Sequence, residues 1–455
     1  MKKIIPLLLG FALLSLTGCP SEPPKVAPPE QPRVETPSEP EPDQPAVPEP
    51  TEVPAPPAAP EPVPPVAPDP PAAAGKPKEV LDRIAAHKER WGVDHAGKNA
   101  QYKPKLLLSL TGDMSQPDGM TVHPTTKTIF LNCPNFNYRV NDTGPKNHPG
   151  TLVRVKLDGE TATAERLLIY EEKAPFPETG QVGPMGLYFG PDGHLYVCDN
   201  QYFFNTDWKS RILRVRMNGD DPTGVVEVVV EGIKLANAIY WTADKLLVTD
   251  TFFDLEGEFG SGGVWAFAKE DVLKAGTDGN PPIKLNPVKK MGDDPHCIAI
   301  FLVKQLPGCG NGGLDGLTAD KDGILYTGNF GNGEMYRLVF DEEGKVETDV
   351  IHEAGDYFSC CDGIFYDVDT NKIYINDSAG NAIHAFTPPP LGEKAVFETL
   401  WENGDTDGAD GSLDQPAELV IVDGKMVIAN FDWPFPELLN TEADEPNTLS
   451  LINLK

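Results

Sequence analysis

Positive charge is scarce in this chain. Lys and Arg number 38 against 69 Asp and Glu, for a formal net charge of -31. Such a balance repels phosphate backbones and anionic headgroups, which excludes nucleic acid and direct electrostatic attachment to a lipid surface. A membrane-spanning run is also missing: the apolar stretch Ile4 to Leu14 is too short to cross a bilayer. Histidine is rare, at 8 residues, and no C-x2-C pair occurs, so a zinc site has little to build on. Aromatic residues are absent from Pro20 to Pro77. That stretch is dominated by Pro, Ala, Glu and Val and cannot bury enough apolar surface to offset its ordering entropy.

What the remainder has is a repeat. Leu314 to Phe330 reads as an oxygen-bearing residue, a Gly, a short strand, a tight turn, a second strand, then a polar residue and an aromatic. The alternation and the turn make it a two-strand hairpin. Variants stand at Pro117 to Asn135, Pro184 to Gln201, Ala236 to Phe252, Cys361 to Ala379 and Pro416 to Trp433. Their spacing, roughly 47 to 78 residues by subtraction of positions, suits four-stranded units with variable loops. Two more strand-like runs follow most copies, for example Thr151 to Leu157 and Glu165 to Tyr170. An all-β, six-bladed β-propeller of four-stranded blades is therefore expected, with five or seven blades as alternatives. After the last copy only Thr448 to Leu454 reads clearly as a strand. Lys105 to Leu110 is the expected outer strand of that blade, joining both chain ends in one sheet.

The chain before the propeller divides further. Residues 1–18 read as a secretory signal: Lys2 and Lys3, an apolar run, then Leu16-Thr17-Gly18-Cys19. That ending resembles a bacterial lipobox, which implies that Cys19 is acylated and that the chain is anchored in the cell envelope. Pro20 after the cysteine implies the outer membrane. An ordinary signal peptide with a chance cysteine is the alternative. Residues 19–78 are the expected extended tether, reaching on the order of 180 Å at full stretch; a PxxP recognition segment is the competing reading. Residues 79–104 hold one short amphipathic helix, Glu79 to Trp91, and a lead-in. Residues 105–455 form the propeller. Nothing in the sequence signals oligomerisation, so a monomer is expected.

Beyond Cys19 there are six cysteines, Cys133, Cys198, Cys297, Cys309, Cys360 and Cys361. An even number in an exported chain invites disulfides, with fifteen possible pairings. Cys133 and Cys198 end the second strands of adjacent hairpins, which suggests that they pair. Cys309 is expected to pair with Cys297 or Cys360, and a vicinal Cys360–Cys361 bridge is a further option.

In a propeller the first strand of each blade lines the central channel. Six residues then converge at its start: Asp118, Met185, Asn237, Asp315, Asp362 and Glu418. Four carboxylates in one ring repel unless a cation sits among them. The oxygen-bearing members, Asp118, Asn237, Asp315, Asp362 and Glu418, with no His or Cys among them, suit Ca²⁺ or another hard divalent ion. Turn chemistry of the Asp-Gly pairs is the plainer account. The second strands return to the same end with Asn132, Asp199, Asp250, Asn329, Asp377 and Asn430. Phe136, Phe203, Phe252, Phe330 and Phe431 follow, and with Asn430 they are expected to bound a small-molecule pocket.

The hairpin repeat resembles the calcium-dependent six-bladed propellers of the senescence-marker-protein, gluconolactonase and luciferin-regenerating-enzyme type. The Pro184-Met185-Gly186 pattern is similar to strictosidine-synthase-like and NHL-repeat propellers. The first resemblance implies a divalent cation held by Asp118 in place of a Glu, by Asn237 and by Asp315, with Asp315 also a proposed base. Met185 stands where many relatives carry Asn. Two readings follow. One is an envelope-anchored calcium-dependent hydrolase of lactones or other esters, with Asp315 or Asp362 activating water. The other is a non-catalytic propeller that binds a ligand or protein partner.

Overall fold

The structure, a computed structural model, describes residues 100–139, 148–253, 255, 261–302, 312–341, 344–434 and 438–455. The signal segment, Cys19, the tether, the helix at Glu79 to Trp91, and Cys309 lie outside the described residues.

Each hairpin copy folds as expected because its pattern leaves few options. Alternating apolar residues face neighbouring blades, and the turns carry residues that tolerate positive φ, such as Gly323 (φ 77) and the Asp423-Gly424 pair (φ 52 and 78). At the fourth hairpin Asp320 Oδ1 accepts from the Asp322 and Ile324 amides at 2.9 and 3.0 Å, fixing the turn through a local side-chain loop.

Six antiparallel sheets result. Their innermost strands are Met120–Val122, Pro184–Phe189, Ala236–Trp241, Leu314–Ala319, Ile364–Asp367 and Pro416–Val422. Each contacts the next and the last contacts the first, which closes a ring. Blade 2 departs from the four-strand expectation. A short strand, Ile283–Lys284, adds to its outer edge parallel to Asp221–Ile233.

Blade 6 joins the chain ends as expected. Lys105–Leu110 pairs antiparallel with Asn447–Asn453, from Lys105 opposite Leu451 to Leu110 opposite Asn447. Its apolar side continues into blade 1: Leu107, Leu110, Val420, Val427 and Leu449 pack with Met120, Ile129, Leu131 and Val153. Burying one such side chain contributes about 1.5–3 kcal/mol. Each blade interface repeats this, as where Phe130, Leu152 and Leu168 of blade 1 meet Leu187, Leu195 and Leu213 of blade 2.

The inner strands approach more closely than side chains permit. Gly363 donates its amide to Ala417 O at 2.7 Å, and Gly316 donates to Asp362 O at 3.2 Å, each across to the next blade. A Cβ at Gly119, Gly186, Gly316 or Gly363 would come within 3.0 Å of the neighbouring blade's backbone carbonyl. The glycine that follows the ring position in these four blades therefore serves close packing between blades and not a turn.

Gly119→Ala should accordingly destabilise the chain by about 1–3 kcal/mol, since backbone atoms block the added methyl. Urea denaturation reads this directly. A variant as stable as the parent would refute the close-packing account.

Candidate functional site

The ring expected from the hairpins assembles. Asp118, Met185, Asn237, Asp315 and Asp362 stand buried at the start of their inner strands, and Glu418 is half-buried. Hydrogen bonds tie the set together. Asn237 Nδ2 donates to Asp315 Oδ2 at 2.6 Å and to Thr251 Oγ1 at 3.2 Å. Ser378 Oγ lies within hydrogen-bond reach of both Asp362 Oδ2 and Pro416 O, the latter at 2.7 Å, with one proton to share between them. Glu418 Oε1 accepts from the Leu419 amide at 2.9 Å. Asp118 Oδ2 is buried with no hydrogen-bond partner.

Burial and mutual repulsion make these carboxyls harder to ionise. Burial pushes Asp315 well above the usual carboxylate range, reinforced by Asp362, Asp118 and Glu418. Asp118 is raised by burial and by Asp362, and Glu418 by burial, Asp362 and Asp118. Asp362 is pushed up to about 7, chiefly by burial, with Ser378 and the Gly363 amide pulling the other way.

The residues fit a hard divalent cation in donor chemistry: oxygens only, with one buried carboxylate oxygen, Asp118 Oδ2, unpartnered. As they stand the groups bond to one another, and among the described residues no three His, Cys, Asp or Glu side chains close on one point.

Glu418 is the ring residue that also faces a cavity among the inner strands. A cavity of about 150 Å³ is lined from all six inner strands, including Glu418, Met120, Tyr188, Tyr240, Thr318 and Tyr366. Sequence reasoning missed its tyrosines because they lie three or four residues past the ring position, where alternation reads as ordinary strand.

The second-strand polar residues reach the expected end but hold the scaffold. Asn132 Nδ2 donates to Met185 O at 2.6 Å; in blade 5 the matching bond comes from Asn376, one residue before the expected Asp377, whose Nδ2 donates to Ala417 O at 3.1 Å. Asp199 accepts from the Gly183 amide and forms a buried ion pair with Arg211. Asp250 accepts from the Lys234 and Leu235 amides. Asn430, expected to face a ligand, is buried and donates to Thr448 Oγ1 at 2.9 Å and Ser450 Oγ at 2.8 Å, while its Oδ1 accepts from the Asp414 amide. Its hydrogen-bonding capacity is used inside blade 6, so the ligand-facing expectation is corrected.

The expected aromatic rim is only partly a rim. Phe136 is fully buried and packs edge-on to Phe203 at 5.1 Å, with Trp433 beside it at 5.3 Å. Phe431 is buried against Trp433 at 5.7 Å. Met185 and Ala417 belong to the same apolar cluster. Phe136 and Phe431 are thus core residues, which corrects their assignment as pocket walls. Phe203, Phe252 and Phe330 keep partial exposure. Phe252 meets Tyr202 at 5.3 Å, and Phe330 packs on Cys360, Ala379 and Leu438.

Among the described residues no expected disulfide forms. Cys133, Cys198, Cys297, Cys360 and Cys361 are all buried free thiols. Equivalent positions in adjacent blades sit a sheet-packing distance apart, about 10 Å, too far for a bridge. Cys133 Sγ contacts Met114 O, while Cys198 lies in a different apolar cluster with Met185 and Ile212. Cys361 Sγ points at Gly328 of blade 4, and Cys360 joins Ala379 and Leu438, so the vicinal pair diverges.

Because the ring carboxyls ionise less readily folded than unfolded, their contribution to stability is greatest below the unfolded carboxylate pKa. It is lost as pH rises through the folded values, about 7 for Asp362. With a chelator present, the unfolding midpoint should fall between about pH 5.5 and pH 8.5, a window above the titration of ordinary paired carboxylates. A midpoint that rises over this range in calorimetry would contradict the electrostatics.

No family profile matches the chain, and no curated relative aligns with it. Among solved structures it is similar to the PQQ-bound aldose sugar dehydrogenase from Streptomyces coelicolor, at 15% identity and TM-score 0.48, covering 79% of this chain and 99% of that one. It is also similar to luciferin-regenerating enzyme, at 11% identity and TM-score 0.43, covering 77% and 94%. The periplasmic gluconolactonase of Pseudomonas aeruginosa aligns at 11% identity and TM-score 0.39, covering 74% of each chain. Identities this low assign no activity; the six-bladed ring is read from the strands themselves.

Proposed function

We propose that this chain is a divalent-cation-dependent hydrolase of a lactone or other small ester, held in the cell envelope through an acylated Cys19. One observation carries the enzymatic reading: four carboxyls and an amide, brought from chain segments far apart, converge on one end of a channel that opens into a cavity. Nothing in the fold requires so much buried acid there, and burial makes it costly unless a positive charge shares it.

Asp118, Asn237, Asp315 and Glu418 would hold the ion. Once bound, calcium supplies positive charge that polarises the ester carbonyl and steadies the oxyanion. The chain's own groups do the rest. Asn237 fixes Asp315 by its 2.6 Å hydrogen bond. Asp362, oriented by Ser378 and raised to about 7, suits a general base near neutral pH. It takes a proton from water as the water oxygen attacks the carbonyl carbon. When the ring C–O bond breaks, it returns that proton to the departing alkoxide. The cavity of about 150 Å³ admits a small ring and excludes polymers.

A non-catalytic binding propeller is the second reading. It is favoured by the aromatic residues that pack on one another at the channel end instead of lining an open mouth.

Calcium titrated into chelator-stripped protein should bind, and Asp315→Ala should abolish both that site and turnover of small lactones. Asp362→Asn should retain the ion but lower turnover by 10²–10⁴-fold, about the worth of a general base. Binding without turnover of any ester or lactone would favour the second reading; absence of binding would remove the mechanism. Separately, Cys19→Ser should shift the protein from the membrane to the soluble fraction, and an unchanged distribution would overturn the anchor.

A further inference from the structure

A second group of carboxylates stands apart from the channel ring. The segment Asp405 to Asp414 connects the outer strand of blade 5, Phe397–Glu402, to the inner strand of blade 6. Within it Asp405, Asp407 and Asp410 recur, with Gly408 and Gly411 between. Closely spaced carboxylates with glycine at the bend are the pattern of loops that wrap calcium. Asp432 follows the second strand of blade 6, and Asp444 precedes the third.

The segments are packed together. Gly408 (φ 61) lies over Asp414, where a Cβ would stand 3.2 Å from Asp414 Cβ. Asp432 is held by Asn440 Nδ2 at 2.9 Å, Asn447 Nδ2 at 3.0 Å and the Asp444 amide at 2.7 Å. Asp405 Oδ2 accepts from Thr441 Oγ1 at 2.7 Å.

Asp414 is the telling residue. It is only 3% exposed, and its Oδ1 has no hydrogen-bond partner. The charged groups that act on it are Asp432, Asp444, Asp405 and Asp407, all negative. Burial and these neighbours push it up to about 9, and Asp432 up to about 8. A buried carboxylate oxygen without a donor, facing four more carboxylates, is costly unless a cation completes the group.

We propose that Asp405, Asp407, Asp414, Asp432 and Asp444 form a calcium site separate from the channel ring. Among the described residues no three such groups yet close on a single point, so binding draws Asp405 and the exposed Asp407 inward toward Asp414. Hard oxygen ligands and high negative charge select Ca²⁺ over softer metals. The site lies beside the ring closure: Asp410 O accepts from the Leu106 amide at 3.2 Å, and Gly411 packs directly on Leu106. An ion here fastens the loop that braces the closing strand.

Calcium chloride titrated calorimetrically into the full chain, stripped with chelator, tests this. Asp407→Asn and Asp414→Asn should each lower the stoichiometry by one ion or weaken one site at least tenfold. The calcium-induced rise in unfolding temperature should shrink in both. Asp315→Asn should leave this site and its thermal effect in place, which separates it from the channel ring. Asp407 is exposed, so its variant gives the reading even where Asp414→Asn does not fold. Unchanged stoichiometry and thermal shift in Asp407→Asn would overturn the proposal. So would a parent chain that binds no calcium, or one whose calcium is lost entirely in Asp315→Asn.

Discussion

Contact between neighbouring inner strands governs this molecule. Six strands must meet around one axis, and they do so at distances where a backbone carbonyl faces the Cα of the next blade. Only glycine fits directly after the ring position in blades 1, 2, 4 and 5. That packing sets the carboxyls of Asp118, Asp315, Asp362 and Glu418 within reach of one another's charge. The raised pKa values and the chemistry proposed for the ring both follow from geometry imposed by the backbone.

The polar residues that end the second strands are the other half of that arrangement. Each blade must hold the segment entering its neighbour, because the inner strands are short and their first residues leave regular pairing. Asn132 and Asn376 do so by binding the next blade's carbonyls; Asp199 and Asp250 instead accept from the backbone amides that lead into their own blade's inner strand. Their regular recurrence in the sequence reflects fastening, while the residues before the inner strands carry the convergent charge.

Much of this was legible because a propeller repeats its physics. The hairpin alternation, the ring position and the glycine after it recur in register, so blade number and the Lys105–Leu110 closure could be read from spacing alone. What was hidden depends on facts outside the repeat. Cys133 and Cys198 occupy matching places, yet matching places in adjacent blades are kept apart by the thickness of a sheet. Phe136 and Phe431 looked like rim residues, but Trp433 fills the space between loops and turns them inward. Ser378 was hidden for a different reason: a hydroxyl one residue beyond a strand carries no pattern. Asp414 and Asp432 were overlooked because they belong to connections, where no periodicity marks partners.

The closing blade also has a mechanical meaning. Whatever precedes Lys105 is attached directly to the outermost strand of the sheet that holds both chain ends. Tension arriving from that side acts first on the pairing of Lys105 with Leu451, and the Leu106 amide is tied sideways to the Asp410 loop. A pull on the leading segment therefore strains the seam of the ring before any other blade, and the toughness of that seam sets how much force the folded body withstands.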